Sequence, residues 1–248
     1  MGRALGGIGR AVDMGATNQN VARVGLGAPM AGFRPGARGI GTFDVGGFEA
    51  ATLDAVELHA RRVTLRPLAA GDADAYRSLI RANGERLSAT GTGPDAGASS
   101  VEGGLFDELL EQLDLLRVLD QSYVYAVVEG DELVGEVALE CIVRGHVQSA
   151  FVAAWIDETR AGEQLAEEAY LALVRHAFED LGLHRVEAAV LTDNDAVKAA
   201  LATLAVRSEG VAPRYLEVNG EWRDHERFVI TAEEWTERRD ELSAAWLA

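Results

Sequence analysis

The sequence predicts a mixed α/β fold: one sheet, largely antiparallel, with helices flanking it. Three observations carry that reading. Runs with strand period alternate along the chain with runs at helix period. Two turn dipeptides, Gly130-Asp131 and Asn219-Gly220, each sit between strand-like runs and mark hairpins. A strand, a loop, a long helix and a second strand follow one another from Trp155 to Val190.

Each element has a local cause. "RVTLRPL" (62–68) alternates as a strand, and residues 70–87 follow helix period with Asp72 as the expected N-cap. The small-residue stretch 88–104 reads as a mobile lid or a disordered connection. Residues 105–119 form an amphipathic helix, then "SYVYAVVE" and "ELVGEVALECIV" pair across Gly130-Asp131, and "SAFVAAWID" adds a strand. The central helix is expected from Gln164 to Leu181, because Leu165, Ala169, Leu173, Val174, Ala177 and Leu181 hold i, i+3, i+4 spacing and Gly182 stops it. "RVEAAVL" is a strand, and a helix opened by Asp193 or Asn194 follows. "RYLEV" and "RDHERFVI" flank Asn219-Gly220, and Thr231 with Glu234 begins a closing helix in capping-box register.

Composition bounds the function. At 248 residues, 48% hydrophobic and 25% charged, the chain can bury one sizeable core. It has no run of 18 apolar residues and no signal-peptide pattern, so a cytoplasmic protein without a membrane span is expected. The single cysteine, Cys141, lies in an apolar run and reads as a buried structural thiol. No ligand spacing marks a metal site. Net charge is −17, yet residues 1–43 hold five arginines and one acid, +4, leaving −21 on the remaining 205. An acidic body repels nucleic acid, and no nucleic-acid motif is present. Residues 1–58 are rich in Gly, with Ala and Arg and no apolar period. They read either as a tail or as an N-terminal arm that orders against another copy or within a larger protein assembly. The expected organisation is this arm over 1–58 and a folded domain over 59–248.

"AFEDLGLHRVEAAVLTDN" together with "EGVAPRYLEVNGEWRDHERFVITAEEW" resembles the GNAT acetyltransferase superfamily, and within it the ribosomal-protein N-terminal acetyltransferase branch. The resemblance covers roughly residues 61–236. It implies a sheet with a splayed parallel strand pair and acetyl-CoA in the gap, its pyrophosphate on backbone N–H groups where the central helix begins. On this chain the implied cofactor contacts are Trp155 and Ile156 on the strand before the turn, then Gly162, Gln164, Leu165 and Ala166, and Asn194 beyond the second strand. The turn departs from the family pattern. Ala161 stands at the Arg position, Gln164 at the key Gly, and Glu163 where a basic residue is common. A carboxylate there is expected to repel phosphate, and a Gln side chain to obstruct it. Lys198 occupies the position of a serine that protonates the departing thiolate in the branch, and is a candidate proton donor.

Transfer of an acetyl group to an amine needs a group that takes a proton. Glu136 and Glu140 on the strand "ELVGEVALECIV", and Glu209 near the cleft mouth, are the candidates by placement. Tyr215 and His225 are expected to pack or to touch substrate, His184 to hold the helix-to-strand turn, and Arg185 and Glu187 to be strand-edge charges. Two readings stay open: an acetyl-CoA-dependent N-acyltransferase acting on a protein α-amine or a small amine, or a catalytically inactive relative that docks through its arm.

Overall fold

The computed structural model describes residues 56–91 and 105–247. The expectations for the arm up to residue 55, and for the connection over 92–104, lie outside the described residues. Among the described residues the strands and α-helices follow in order: β1 (Leu58–His59), β2 (Val63–Arg66), α1 (Ala73–Thr90), α2 (Leu105–Val118), β3 (Tyr123–Glu129), β4 (Glu132–Val143), β5 (Ser149–Ile156), α3 (Leu165–Glu179), β6 (Arg185–Leu191), α4 (Asp195–Thr203), β7 (Arg207–Val218), β8 (Glu221–Thr231) and α5 (Ala232–Trp246). The strands make one sheet in the order β1-β2-β3-β4-β5-β6-β8-β7. Every neighbouring pair is antiparallel except β5 and β6, which run parallel with α3 as their crossover.

The two faces of the sheet bury separate cores. Val63, Leu65, Tyr125, Val127, Val137, Leu139, Val186 and Ile230 meet α3 and α5 on one face. Leu68, Tyr76, Ile80, Phe106, Ala126, Leu133 and Trp155 meet α1 and α2 on the other. The helix period of α3 turns Leu165, Ala169, Ala172, Leu173 and Ala177 onto the sheet, each at most 1% exposed. Truncating Leu173 to Ala there should cost about 2–5 kcal/mol. Trp235 locks α5 to α3 by donating its indole N–H to Glu179 at 2.9 Å.

Several expectations are corrected. Asp72 stands at the N-terminus of α1 without capping it; its carboxylate instead takes two bonds from Arg66, both 2.7 Å, and the N–H of Ala69 at 2.8 Å. The charged pair outcompetes the neutral cap, and Arg66 pulls the Asp72 carboxyl below its ordinary value. The central helix starts at Leu165, one residue late, because Gln164 is in the left-handed region and cannot be helical. The penultimate strand begins at Arg207 rather than Arg214, two register shifts absorbing the polar stretch that disguised it. Leu58 belongs to the folded domain: it pairs with Leu65 and is 5% exposed. Cys141 is half-buried at an irregularity of β4, with φ of +52°, not in the core. Arg185 and Glu187 lie on a central strand, and Glu187 is buried.

Candidate functional site

The parallel pair is joined at three positions only, Ser149 to Arg185, Ala150 to Val186 and Phe151 to Glu187. Past these no pairing links the strands, so the facing backbone edges of 152–156 and 188–191 have no sheet partner. At about 3.3 Å per residue the gap runs on the order of 15 Å along β5. Its signature is exposure in the middle of the sheet: Phe151 to Ala154 are all half-buried although β5 has a strand on each side. Ile156 closes the end of β5, its side chain against the α3-side core and its carbonyl accepting from Arg86 of α1 at 2.7 Å.

The chain then turns into α3. Asp157 caps a short helical turn over Glu158–Arg160, Gly162 takes φ of +83°, and Gln164 stands at the N-cap with φ of +63° and no side-chain cap bond. The first recorded helical bond is from Glu168 N–H to the Gln164 carbonyl at 3.2 Å. Among the described residues, the N–H groups of Gln164, Leu165, Ala166 and Glu167 meet no acceptor, the four orphan donors that a helix start leaves. Leu165 is buried, Ala166 half-buried, and Gly162 and Gln164 exposed. Four donors at a positive dipole end form an anion-binding cradle. The left-handed conformation is held despite a Gln where the family pattern has Gly.

The charges around the turn are paired. Glu163 does not point a bare carboxylate at the helix start. Arg160 holds it through two bonds of 3.0 and 2.9 Å, and also reaches Glu129 and Glu132 at the β3–β4 hairpin. Arg160 accordingly pulls the Glu163 carboxyl below its ordinary value. Arg62 donates to the Glu163 carbonyl and ion-pairs with buried Glu168 at 2.7 Å. Both arginines beside the cradle are thus already engaged.

The α1-side face carries the polar groups. Register places Glu136 beside Trp155 and Glu140 beside Phe151, so Glu136 stands level with the open half of the gap and Glu140 at its closed end. Four residues of strand separate them by about 13 Å. Both are buried, and Glu136 accepts the hydroxyl of fully buried Tyr76 at 2.8 Å. Trp155 packs its indole into the α1-side core, where its Nε1 finds no partner, so it contributes to the gap through the strand and not through its ring. Across the gap, Ala189 and Leu191 of β6 are opposite Arg227 and His225 of β8. Arg227 ion-pairs with Glu187 and lies over the Tyr215 ring, 5.6 Å from its centroid.

Asn194 and Lys198 sit past the end of β6. Asn194 caps α4, its side chain accepting from Val197 N–H at 3.3 Å. Lys198 donates to the Thr192 carbonyl and pairs with Asp195, both at 2.7 Å, and Asp195 raises its pKa. Glu209 is not at the cleft mouth. It is bound to Arg185, at the closed end of the parallel pair, and to Arg207, and the Arg185 bond first of all lowers its pKa to about 2. Its position in sequence, in a strand read as loop, hid this. His184 bonds Glu233 and its backbone ties β6 to Gln148 and Ala232. Among the described residues, no cluster of His, Cys, Asp or Glu has the makings of a metal site, and no helix is long and apolar enough to cross a membrane.

Residues 62–207 match the family described as Acetyltransferase (GNAT) domain. The probable N-acetyltransferase YjcK of Bacillus subtilis (strain 168) is 34% identical over 113 residues, 45% of this chain and 62% of that protein. The [ribosomal protein uS5]-alanine N-acetyltransferase of Escherichia coli (strain K12) is 31% identical over 120 residues, 48% of this chain and 62% of that protein. The chain thus spans about six-tenths of the length of these relatives. Among solved structures, Mycobacterium smegmatis RimJ in complex with CoA-disulfide superposes with a TM-score of 0.69 at 27% identity, over 77% of this chain and 93% of that one. With the splayed parallel pair and the helix-start cradle in place, the family match over more than half of its length shows that the chain belongs to the GNAT acetyltransferase family.

Proposed function

We propose that the chain is an acetyl-CoA-dependent N-acyltransferase whose acceptor is an amine, in the first instance the α-amine of a protein N-terminus. One observation carries this: a central strand left half-exposed by an unpaired gap that leads to four unpartnered N–H groups at the start of α3. That arrangement fits a long ligand with an apolar arm and an anionic diphosphate. The name of the Escherichia coli relative supports a protein α-amine as acceptor.

Acetyl-CoA, when bound, supplies an activated acyl carbon. The protein's part is positioning and proton handling. The N–H groups of Gln164 to Glu167 and Gly162 receive phosphate, and the strand edges of 152–156 and 188–191 flank the arm. Glu136, buried beside the gap and fixed by Tyr76, offers a carboxylate that holds an incoming ammonium. Lys198, kept charged by Asp195, is the proton source near the end of β6. Glu140 and Glu209, remote from the open half of the gap, take no part.

The engaged state of Arg160 and the Gln at the turn favour a second reading, a non-catalytic relative in which the N-terminal arm, ahead of the strand that holds Leu58, docks the domain onto the acidic surface of another copy or of a larger cytoplasmic assembly. Calorimetric titration with acetyl-CoA, followed by thiol release in the presence of N-terminal peptides, separates the two. Micromolar binding with peptide-dependent thiol release supports the enzyme. Absence of both, together with association that is lost on deleting residues 1–55, supports the module.

A further inference from the structure

The gap has polar groups on both flanks of its α1-side face. Glu136 is one strand away on the β4 side. On the β8 side the corresponding place belongs to His225, which register sets opposite Leu191, the last residue of β6, where the parallel pair is open. The residue is 3% exposed. Its Nδ1 lies 3.0 Å from the carbonyl oxygen of Arg223. A carbonyl only accepts, so Nδ1 carries the proton and Nε2 presents a lone pair. Among the described residues, Nε2 meets no donor. The ring is edge-on to Tyr215, 6.3 Å between centroids, which fixes its plane. The charged groups bearing on it are Arg223 and Asp224 on β8 and Asp193 beyond β6, with Arg227 next along the face.

We infer that His225 is a catalytic residue of the proposed transfer, the group whose Nε2 takes the proton lost by the acceptor amine. The inference rests on the enzyme reading of this site. The amine nitrogen forms a bond to the acyl carbon as the carbon–sulfur bond breaks. The proton leaving nitrogen passes to Nε2, and the sulfur leaves with the bonding pair and is protonated by Lys198 or by water. His225 returns its proton to solvent when product leaves. Burial disfavours the imidazolium and lowers its pKa, so the lone pair is free at neutral pH. The acceptor is drawn in as an ammonium by Glu136 on the far flank, gives its first proton to solvent and attacks as the neutral amine, and the proton that His225 takes is the second.

Two measurements on the full chain test this. Nitrogen-15 NMR of the wild-type protein without ligand should show the His225 ring as the Nδ1–H tautomer, titrating below an ordinary histidine. An Nε2–H tautomer, or a ring protonated at pH 7, overturns the inference without reference to activity. The second measurement compares kcat against pH for wild type and for His225→Asn, which keeps an N–H for the Arg223 carbonyl. The expected result is a fall of roughly a hundredfold or more in kcat, loss of the acidic limb of the profile, unchanged calorimetric binding of acetyl-CoA, and partial rescue of His225→Ala by imidazole. A folded His225→Asn variant with wild-type kcat and the same limb sinks the role of His225 while leaving the enzyme reading intact. A wild-type chain that transfers no acetyl group to any amine overturns both.

Discussion

Replacing Gln164 by Gly tests the turn on which cofactor binding depends. Gln164 is held at φ of +63°, ψ of +19°, immediately before α3. A residue with a Cβ in this region is disfavoured by roughly 1–2 kcal/mol. Glycine removes that cost but adds unfolded-state freedom worth roughly 0.5–1 kcal/mol. The balance is a net gain of about 0.5–1 kcal/mol, because the side chain is exposed and no cap bond is lost. For a folded region of this size that shifts Tm upward by about 1–4 °C. Thermal unfolding followed by circular dichroism measures it, with Gln164→Ala as the control: Ala keeps the Cβ and should leave Tm unchanged. Titration of the same proteins with CoA should show tighter binding for Gly alone, since backbone can then approach the diphosphate. A Gln164→Gly variant that melts lower than Gln164→Ala would refute the left-handed turn, and equal CoA affinity in all three would show that the phosphates are not received there.

Further outcomes follow from the same geometry. Combining Glu163→Arg with Gln164→Gly should raise CoA affinity several-fold more, because Arg160 loses one of its carboxylate partners; isothermal titration at low and high salt should show the gain shrinking with salt. Glu136→Gln should lower kcat/KM for the acceptor by roughly tenfold or more with CoA binding unchanged, because the ammonium loses a charge-assisted bond worth about 1.5–3 kcal/mol, whereas Glu140→Gln and Glu209→Gln, tested in the same thiol-release assay, should stay within about twofold. Glu209 is a stability group and its sign is fixed by its lowered pKa: its pairing contributes fully above about pH 4.3, the unfolded value, and the contribution fades as pH falls towards about 2. Urea denaturation of wild type and Glu209→Gln should therefore differ at pH 6 and converge near pH 2.

Most of the elements and the family were legible in the chain alone, because periodicity, turn dipeptides and capping pairs are local signals; the short β1 and the first half of β7 were not, since their polar or brief stretches carry no period. Gly130-Asp131, Asn219-Gly220 and the Thr231–Glu234 box behave as their chemistry requires, the last with both reciprocal bonds formed. The sequence also marked where the parallel pair and its helix lie. Local reading failed where a charged side chain could choose among partners that periodicity does not reveal. Asp72 reads as a cap, yet Arg66 claims it; Glu163 reads as a repulsive charge, yet Arg160 folds it aside; Glu209 reads as a cleft acid, yet Arg185, on a strand 24 residues earlier, holds it at the wrong end of the sheet. Which of two glutamates on one strand faces the open gap depends on the assembled sheet, since Glu136 and Glu140 have the same face and the same period and differ only in whether β5 beside them is still paired to β6. The tertiary structure likewise set His225 against the end of β6, a juxtaposition fixed by strand order and register, which are properties of the assembled sheet and not of any stretch of chain.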